Sequence, residues 1–132
     1  FNWFTVTTPM QREAESGTNN GGVLEGGGDS GSKIILNSAG DSVCWTNVNM
    51  AGIASARLHY GNGETSGDSV QLTYPNTGTV IGTFSIASTG GWSTPNLTDA
   101  NVSFVPKTGT GELCIIGQGS GWIASVDYVY LQ

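Results

Sequence analysis

The chain has 132 residues, of which 11% are charged, and a net charge of −6 at pH 7. Apolar residues and glycine together make up the ordinary share of a folded domain, which excludes disorder, and no apolar run approaches the ~20 residues of a membrane-spanning helix. The four basic residues, Arg12, Lys33, Arg57 and Lys107, are scattered, so neither nucleic acid nor an anionic membrane finds a positive footprint; a neutral partner or a cation fits a single domain of this kind.

Phe1-Asn2-Trp3-Phe4-Thr5 has neither the charged region nor the long apolar stretch of a secretion signal, so the chain reads as a mature or excised piece. Glu13-Ala14-Glu15 places two carboxylates at i and i+2, which on a strand share one face and suit a hard cation. Solvated strand-edge glutamates are the plain alternative. Gly26 to Ser32 reads as a surface loop. Val43, Trp45 and Val48 form a β-prone run after Ala39-Gly40-Asp41, and Ala54 to Tyr60 alternates loosely. Val70 to Tyr74, Thr79 to Ala87 and Ala100 to Val105 alternate with period two. Leu113 to Ile116 is continuously apolar, as in a strand buried on both faces. Val126 to Leu131 closes the chain, with Val126, Tyr128 and Tyr130 on one parity and Asp127, Val129 and Leu131 on the other. Turn clusters separate these runs, at 61–63, 75–78, 89–91, 106–111 and 117–121. Short strands at this spacing, without a helical stretch, predict an all-β fold, a β-sandwich of the jelly-roll kind.

Cys44 and Cys114 are the two cysteines and His59 the one histidine, too few ligands for a zinc framework. A disulfide is the first reading if the protein is secreted, and two buried thiols the other. His59 lies inside a predicted strand without a nucleophile elbow and reads as a sheet-surface histidine, not a catalytic base. A carboxylate pair for glycoside hydrolysis is always available among ten acids, so it carries no signal. Trp92 follows Gly90-Gly91, and Trp122 follows Gly119-Ser120-Gly121. A tryptophan in a glycine-rich loop has little local packing, and an exposed indole stacks on the apolar faces of sugar rings. Each ring folding back as a lid over the core is the alternative, and for Trp45 that core role is preferred. An acid at Asp127 meets Glu13 and Glu15 if the first and last strands pair.

Glu13-Ala14-Glu15, Ala39-Gly40-Asp41, the stretch from Ile81-Gly82-Thr83 to Thr89-Gly90-Gly91-Trp92, and the ending from Gly121-Trp122 to Asp127-Tyr128-Val129 resemble family 6 carbohydrate-binding modules, with families 35 and 36 related. The likeness runs over roughly residues 11–131. It places the module at 11–132 and leaves 1–10 as an extra N-terminal strand or a linker remnant. The resemblance implies a jelly-roll sandwich that binds polysaccharide for an attached glycoside hydrolase or lyase: a secreted, monomeric, non-catalytic module. It implies a structural Ca2+ held by Glu13, Glu15, Asp127 and a backbone carbonyl at Lys33. It implies a loop cleft built from Trp92, Glu25, Ser125 and the position of a second aromatic, here Leu36 beside Asn37, so that Trp122, or Trp92 alone, has to supply the stacking. A further site known on the concave face uses a tryptophan after Ala-Gly-Asp; Ser42 stands there, with Trp45, Tyr60 or Gln71 as possible replacements. The expected ligand is a β-glucan, β-1,3-linked and laminarin-like first; xylan, cellulose and agar follow. A structural or adhesive sandwich without sugar binding, or a small hydrolase or lyase, are the readings of other classes.

Overall fold

The computed structural model describes residues 9–65 and 67–132; the expected extra strand or linker at the start lies, up to residue 8, outside the described residues. In chain order the elements are β1 (Met10–Glu13), a 3-10 turn (Ala14–Ser16), β2 (Thr18–Asn20), β3 (Val23–Gly28), β4 (Gly31–Leu36), β5 (Ser42–Asn49), β6 (Ser55–Gly61), β7 (Asp68–Thr73), β8 (Val80–Ile86), β9 (Thr98–Ser103), β10 (Thr110–Gln118) and β11 (Ala124–Leu131).

They form two antiparallel sheets. One has the order β3-β4-β11-β6-β9, with β1 taking up the edge of β11 beyond the end of β4, and the other β2-β5-β10-β7-β8. The core lies between them. Ile34 and Leu36 of β4, Leu58 and Tyr60 of β6, and Val126, Val129 and Leu131 of β11 meet Val43 and Trp45 of β5, Val70 and Leu72 of β7, Phe84 and Ile86 of β8 and Leu113 and Ile115 of β10. Period-two alternation on these strands gives each sheet one apolar face to bury, and packing the two faces removes both from water.

Three sequence expectations are corrected. Residues 26–32 are not a free loop: β3 and β4 form a hairpin across them, with a bulge between Glu25 and Gly28. The last strand does not keep one parity. A bulge between Val126 and Tyr128 inserts Asp127, so Val126, Val129 and Leu131 all face the core while Tyr128 and Tyr130 are less buried. Trp45 and Tyr60 are buried in the core, where neither can serve a concave-face site. The Trp45 indole donates to the Glu13 carbonyl at 3.1 Å and to the Ser16 hydroxyl at 3.2 Å, which ties the 3-10 turn to the core.

Cys44 and Cys114 are bonded as a cross-strand disulfide between β5 and β10. Together with Thr73 it covers the outer side of the Leu113–Ile116 run. The first and last strands pair, with Glu13 opposite Tyr128 and Met10 opposite Leu131.

Candidate functional site: a tryptophan corner and an acid cradle

Two loops bring the tryptophans together. Trp92 lies in the β8–β9 connection, which is hydrogen-bonded along its length. The Tyr60 hydroxyl accepts from Ala87 N at 3.1 Å where the loop begins. Asn62 and Thr89 exchange bonds of 2.9 Å, and Thr94 N donates to the Gly27 carbonyl at 2.9 Å. Gly63 lies under the indole, where any Cβ would strike the ring. Trp92 is therefore half-buried and fixed. Trp122 rides on the β10–β11 loop, anchored by the buried Ile123, whose N–H donates to the Leu36 carbonyl at 2.8 Å. It remains 47% exposed. The two rings meet edge to face, with centroids 5.4 Å apart and planes at 71°. They form an open corner and not two parallel walls.

Glu25 lies on β3, two residues before the contact with the Trp92 loop. Its strand meets the Trp92 loop through Gly27, against which Ser93 packs. Glu25 is 47% exposed and accepts a hydrogen bond of 2.5 Å from Nζ of Lys33, which is fully buried. The Lys33 side chain is thus a functional group that sequence reasoning missed, since only its carbonyl was considered. A buried ammonium needs a partner, and the β3–β4 register sets Glu25 opposite it.

Leu36, at the position of the second aromatic, is in the core at 0% exposure and lines no cleft. Ser125 is also fully buried, with its hydroxyl unpartnered, so it does not reach a sugar from this position. Asn37 belongs to a turn built around Asp41, whose carboxylate accepts from the backbone N–H groups of Asn37 and Ser38 at 3.0 Å each. The Asn37 amide, turned to donate, reaches the Gly21 carbonyl at 3.3 Å and the Asp41 carboxylate.

The acids gather at the far side of the β3–β4 hairpin. Asp127, set at the bulge, is fully buried. Its Oδ2 accepts from Ser30 N at 2.9 Å, while its Oδ1 is buried without a partner. A Cβ at Gly28 would strike Asp127 and one at Gly31, where φ is +95°, would strike Glu15 Oε1. Burial, and the negative field of Glu13, hold the Asp127 carboxyl above its usual range against the hydrogen bonds from Ser30 and Asp29. Glu15 and Asp127 thus flank one glycine-shaped turn, and an unsatisfied buried carboxylate oxygen there fits a hard cation. Among the described residues, however, the ligand atoms mutually within 4.8 Å at this turn are those of Asp29, His59 and Asp127; Glu13 lies farther out, its Oε2 bonded by Gln11 Nε2 at 2.7 Å.

His59 is not the plain surface histidine the sequence implies. Its Nδ1 lies 2.7 Å from Asp99 and its Nε2 2.7 Å from Asp29. Burial alone would lower its pKa, but these two hydrogen bonds outweigh it and the pKa is raised. Both ring nitrogens face carboxylates and neither faces a hydroxyl, so the arrangement offers no activated nucleophile.

With the geometry in place, comparison with known proteins is decisive. The model of the family described as carbohydrate binding module (family 6) matches residues 13–132. The chain belongs to family 6 of the carbohydrate-binding modules. It is a non-catalytic module. Solved structures agree in fold. A family 6 module from Clostridium cellulolyticum, in complex with xylose, is 26% identical with a TM-score of 0.81, covering 93% of this chain and 96% of its own. A β-1,3-glucan binding module from Bacillus halodurans is 21% identical, TM-score 0.81, covering 93% and 95%. A glycoside hydrolase family 43 arabinoxylan arabinofuranohydrolase from Bacillus subtilis is 20% identical, TM-score 0.79; the match takes 93% of this chain but 27% of that enzyme. No curated protein matches the sequence.

Proposed function

We propose that this module binds its polysaccharide on the corner formed by Trp122 and Trp92, with a β-1,3-linked glucan of the laminarin type as ligand and xylan as the second candidate. The observation that carries this reading is the exposed Trp122 edge-to-face with a loop-fixed Trp92. A β-1,3-linked chain curves, so one sugar can rest on an indole face while the next turns past the other ring. A flat ribbon is better served by parallel walls, which this corner lacks. Xylan is the second reading because the 26%-identical neighbour binds xylose. Glu25, oriented by Lys33, offers its free oxygen to sugar hydroxyls at the edge of the corner. Affinity is modest, because an open corner leaves much of each ring wet.

Calcium is part of the proposal. Glu13, Glu15, Asp127 and a carbonyl at the start of β4, expected at Lys33, hold one Ca2+; the unpartnered Asp127 Oδ1 supports this. The module acts as a secreted, monomeric unit tethered to a glycoside hydrolase. The disulfide supports an oxidising compartment, and the Bacillus subtilis enzyme supplies a precedent for the tether. Titration of laminarin, xylan, cellulose and agar oligosaccharides tests the ligand. Saturable binding to laminarin oligosaccharides above the rest is expected, and binding to xylan alone replaces the first reading with the second.

A further inference from the structure

Both tryptophan loops lean on a third stretch of chain, the connection that follows β6. It begins with Asn62, which is fully buried. The Asn62 carbonyl accepts from Thr89 N and its N–H donates to the Thr89 hydroxyl, at 2.9 Å each. Asn62 also bridges to Gly91, the residue before Trp92. Its side-chain oxygen accepts from Glu64 N at 2.9 Å, which folds the next two residues into a tight turn. Gly63, inside that turn, lies against the five-membered ring of the Trp92 indole. Where the connection ends, Asp68 of β7 lies against Gly119, at the base of the loop that carries Trp122. The connection thus touches Trp92 at its start and the Trp122 loop at its end.

Glu64 is exposed, and among the described residues its carboxylate takes part in no hydrogen bond or ion pair. Its backbone is fixed beside an aromatic ring while its charge is left to solvent. An ionised carboxylate only accepts hydrogen bonds, and bonds to it are roughly twice as strong as neutral ones. Sugar hydroxyls are donors that suit it, and the neighbouring indoles supply the apolar wall. Strand order sets its distance from Glu25. The Trp92 loop is held at one end by Asn62, after β6, and at the other by the Gly27 carbonyl on β3. These strands are three positions apart in the sheet, about 14 Å. A carboxylate thus stands toward each end of the loop, Glu25 on β3 and Glu64 after β6. One sugar ring does not span that distance, and a chain of several does.

We propose, resting on the tryptophan corner as the binding surface, that Glu64 is a specificity-determining residue of the sugar site. It accepts hydroxyl hydrogens from a sugar unit other than the one at Glu25. The ligand is therefore read as a chain, and two carboxylates select a neutral chain because they repel uronic acids and sulfated sugars.

The test is isothermal titration of laminarihexaose and xylohexaose, and of the matching disaccharides, into the whole module, with melting temperatures alongside. Wild type is compared with Glu64→Gln, Glu64→Ala, Trp122→Ala and Glu112→Gln. Glu64→Gln and Glu64→Ala each weaken the better hexasaccharide by about 10-fold. Both melt within about 2 °C of wild type, because the bond that orders the turn is made by the Glu64 backbone. The matching disaccharide, which cannot reach both carboxylates, loses less. Glu112→Gln, at the opposite end of β10 from the Trp122 loop, keeps wild-type affinity. Full hexasaccharide affinity in Glu64→Ala, with binding lost in Trp122→Ala, would overturn the role of Glu64 and leave the corner standing. An equal loss for the disaccharide puts both carboxylates on one sugar, and an equal loss in Glu112→Gln removes the specificity of the effect; either result overturns the proposal. Affinity kept in both Glu64→Ala and Trp122→Ala, or no binding by wild type, removes the corner and Glu64 together.

Discussion

The tryptophan corner and the acid cradle are built from opposite materials. The corner is carried by loops: Trp122 is 47% exposed on a segment held by one buried neighbour, Ile123. The cradle is carried by strands and a tight turn: Asp127 is fully buried and its carboxylate is pinned by Ser30 N. A loop-borne ring can change with little cost to the fold, whereas a strand-borne acid cannot. Recognition and stability are therefore separable here. The β3–β4 hairpin touches both, through Gly27 to the Trp92 loop and through Gly28 and Gly31 to Asp127 and Glu15.

Chelation gives the largest effect and breaks the comparison on the cradle side. At the proposed calcium site, an ion at 100 times its Kd would add about 2.7 kcal/mol to stability, on the order of 10 °C for a chain of this size. Chelator lowers the melting temperature by about that amount in scanning calorimetry, and Asp127→Asn abolishes the calcium dependence. Glu25→Gln strands the buried Lys33 ammonium; because Glu25 is 47% exposed, solvent reduces the cost to about 1–3 kcal/mol, read by urea unfolding. Gly63→Ala pushes a methyl into the Trp92 indole. It costs about 1–2 kcal/mol of stability and, by tilting the ring, weakens oligosaccharide binding without touching the ligand.

The smallest effect is in pH. The raised pKa of His59 means that the folded state binds its proton more tightly than the unfolded state. That contribution is full below the unfolded value of about 6.5 and fades as pH rises through the folded pKa. Asp29, held below its ordinary range by hydrogen bonds from Thr94 and His59, contributes above its unfolded value and loses its contribution as pH falls through the folded one. In metal-free protein, the difference in melting temperature between wild type and His59→Gln is therefore widest in mildly acidic solution and narrows above neutrality.

Much of the sandwich was legible because β7, β8 and β9 carry period-two patterns, and β5, β10 and β11 short β-prone or apolar runs, between glycine-rich turns. The hairpin of β3 and β4 was not, because Gly26-Gly27-Gly28 reads as a loop and only the pairing with Ile34, Ile35 and Lys33 makes it a strand. The bulge at Asp127 left no mark in the sequence either: Val126 and Val129 are three apart, and an unbroken alternation assigns them to opposite faces. Trp92 and Trp122 were legible through their glycines. Their edge-to-face contact was not, since it depends on two loops whose anchors, Gly27 and Leu36, lie far away in the chain. Leu36 and Ser125 were misplaced for the same reason, for their positions in a motif do not report which way the strand turns them. The Lys33–Glu25 pair and the bracket around His59 join residues of different strands and turns, and no local pattern announces them.

The central claim is that the exposed indole of the corner carries glycan binding independently of the fold. Isothermal titration of a laminarin oligosaccharide into wild type and Trp122→Ala tests it, with melting temperatures measured alongside. The account predicts that the variant melts within about 2 °C of wild type and loses about 1–3 kcal/mol of binding, roughly 5- to 150-fold in affinity, by analogy with aromatic stacking on nucleobases. Equal affinity in the two proteins, at equal stability, would contradict it.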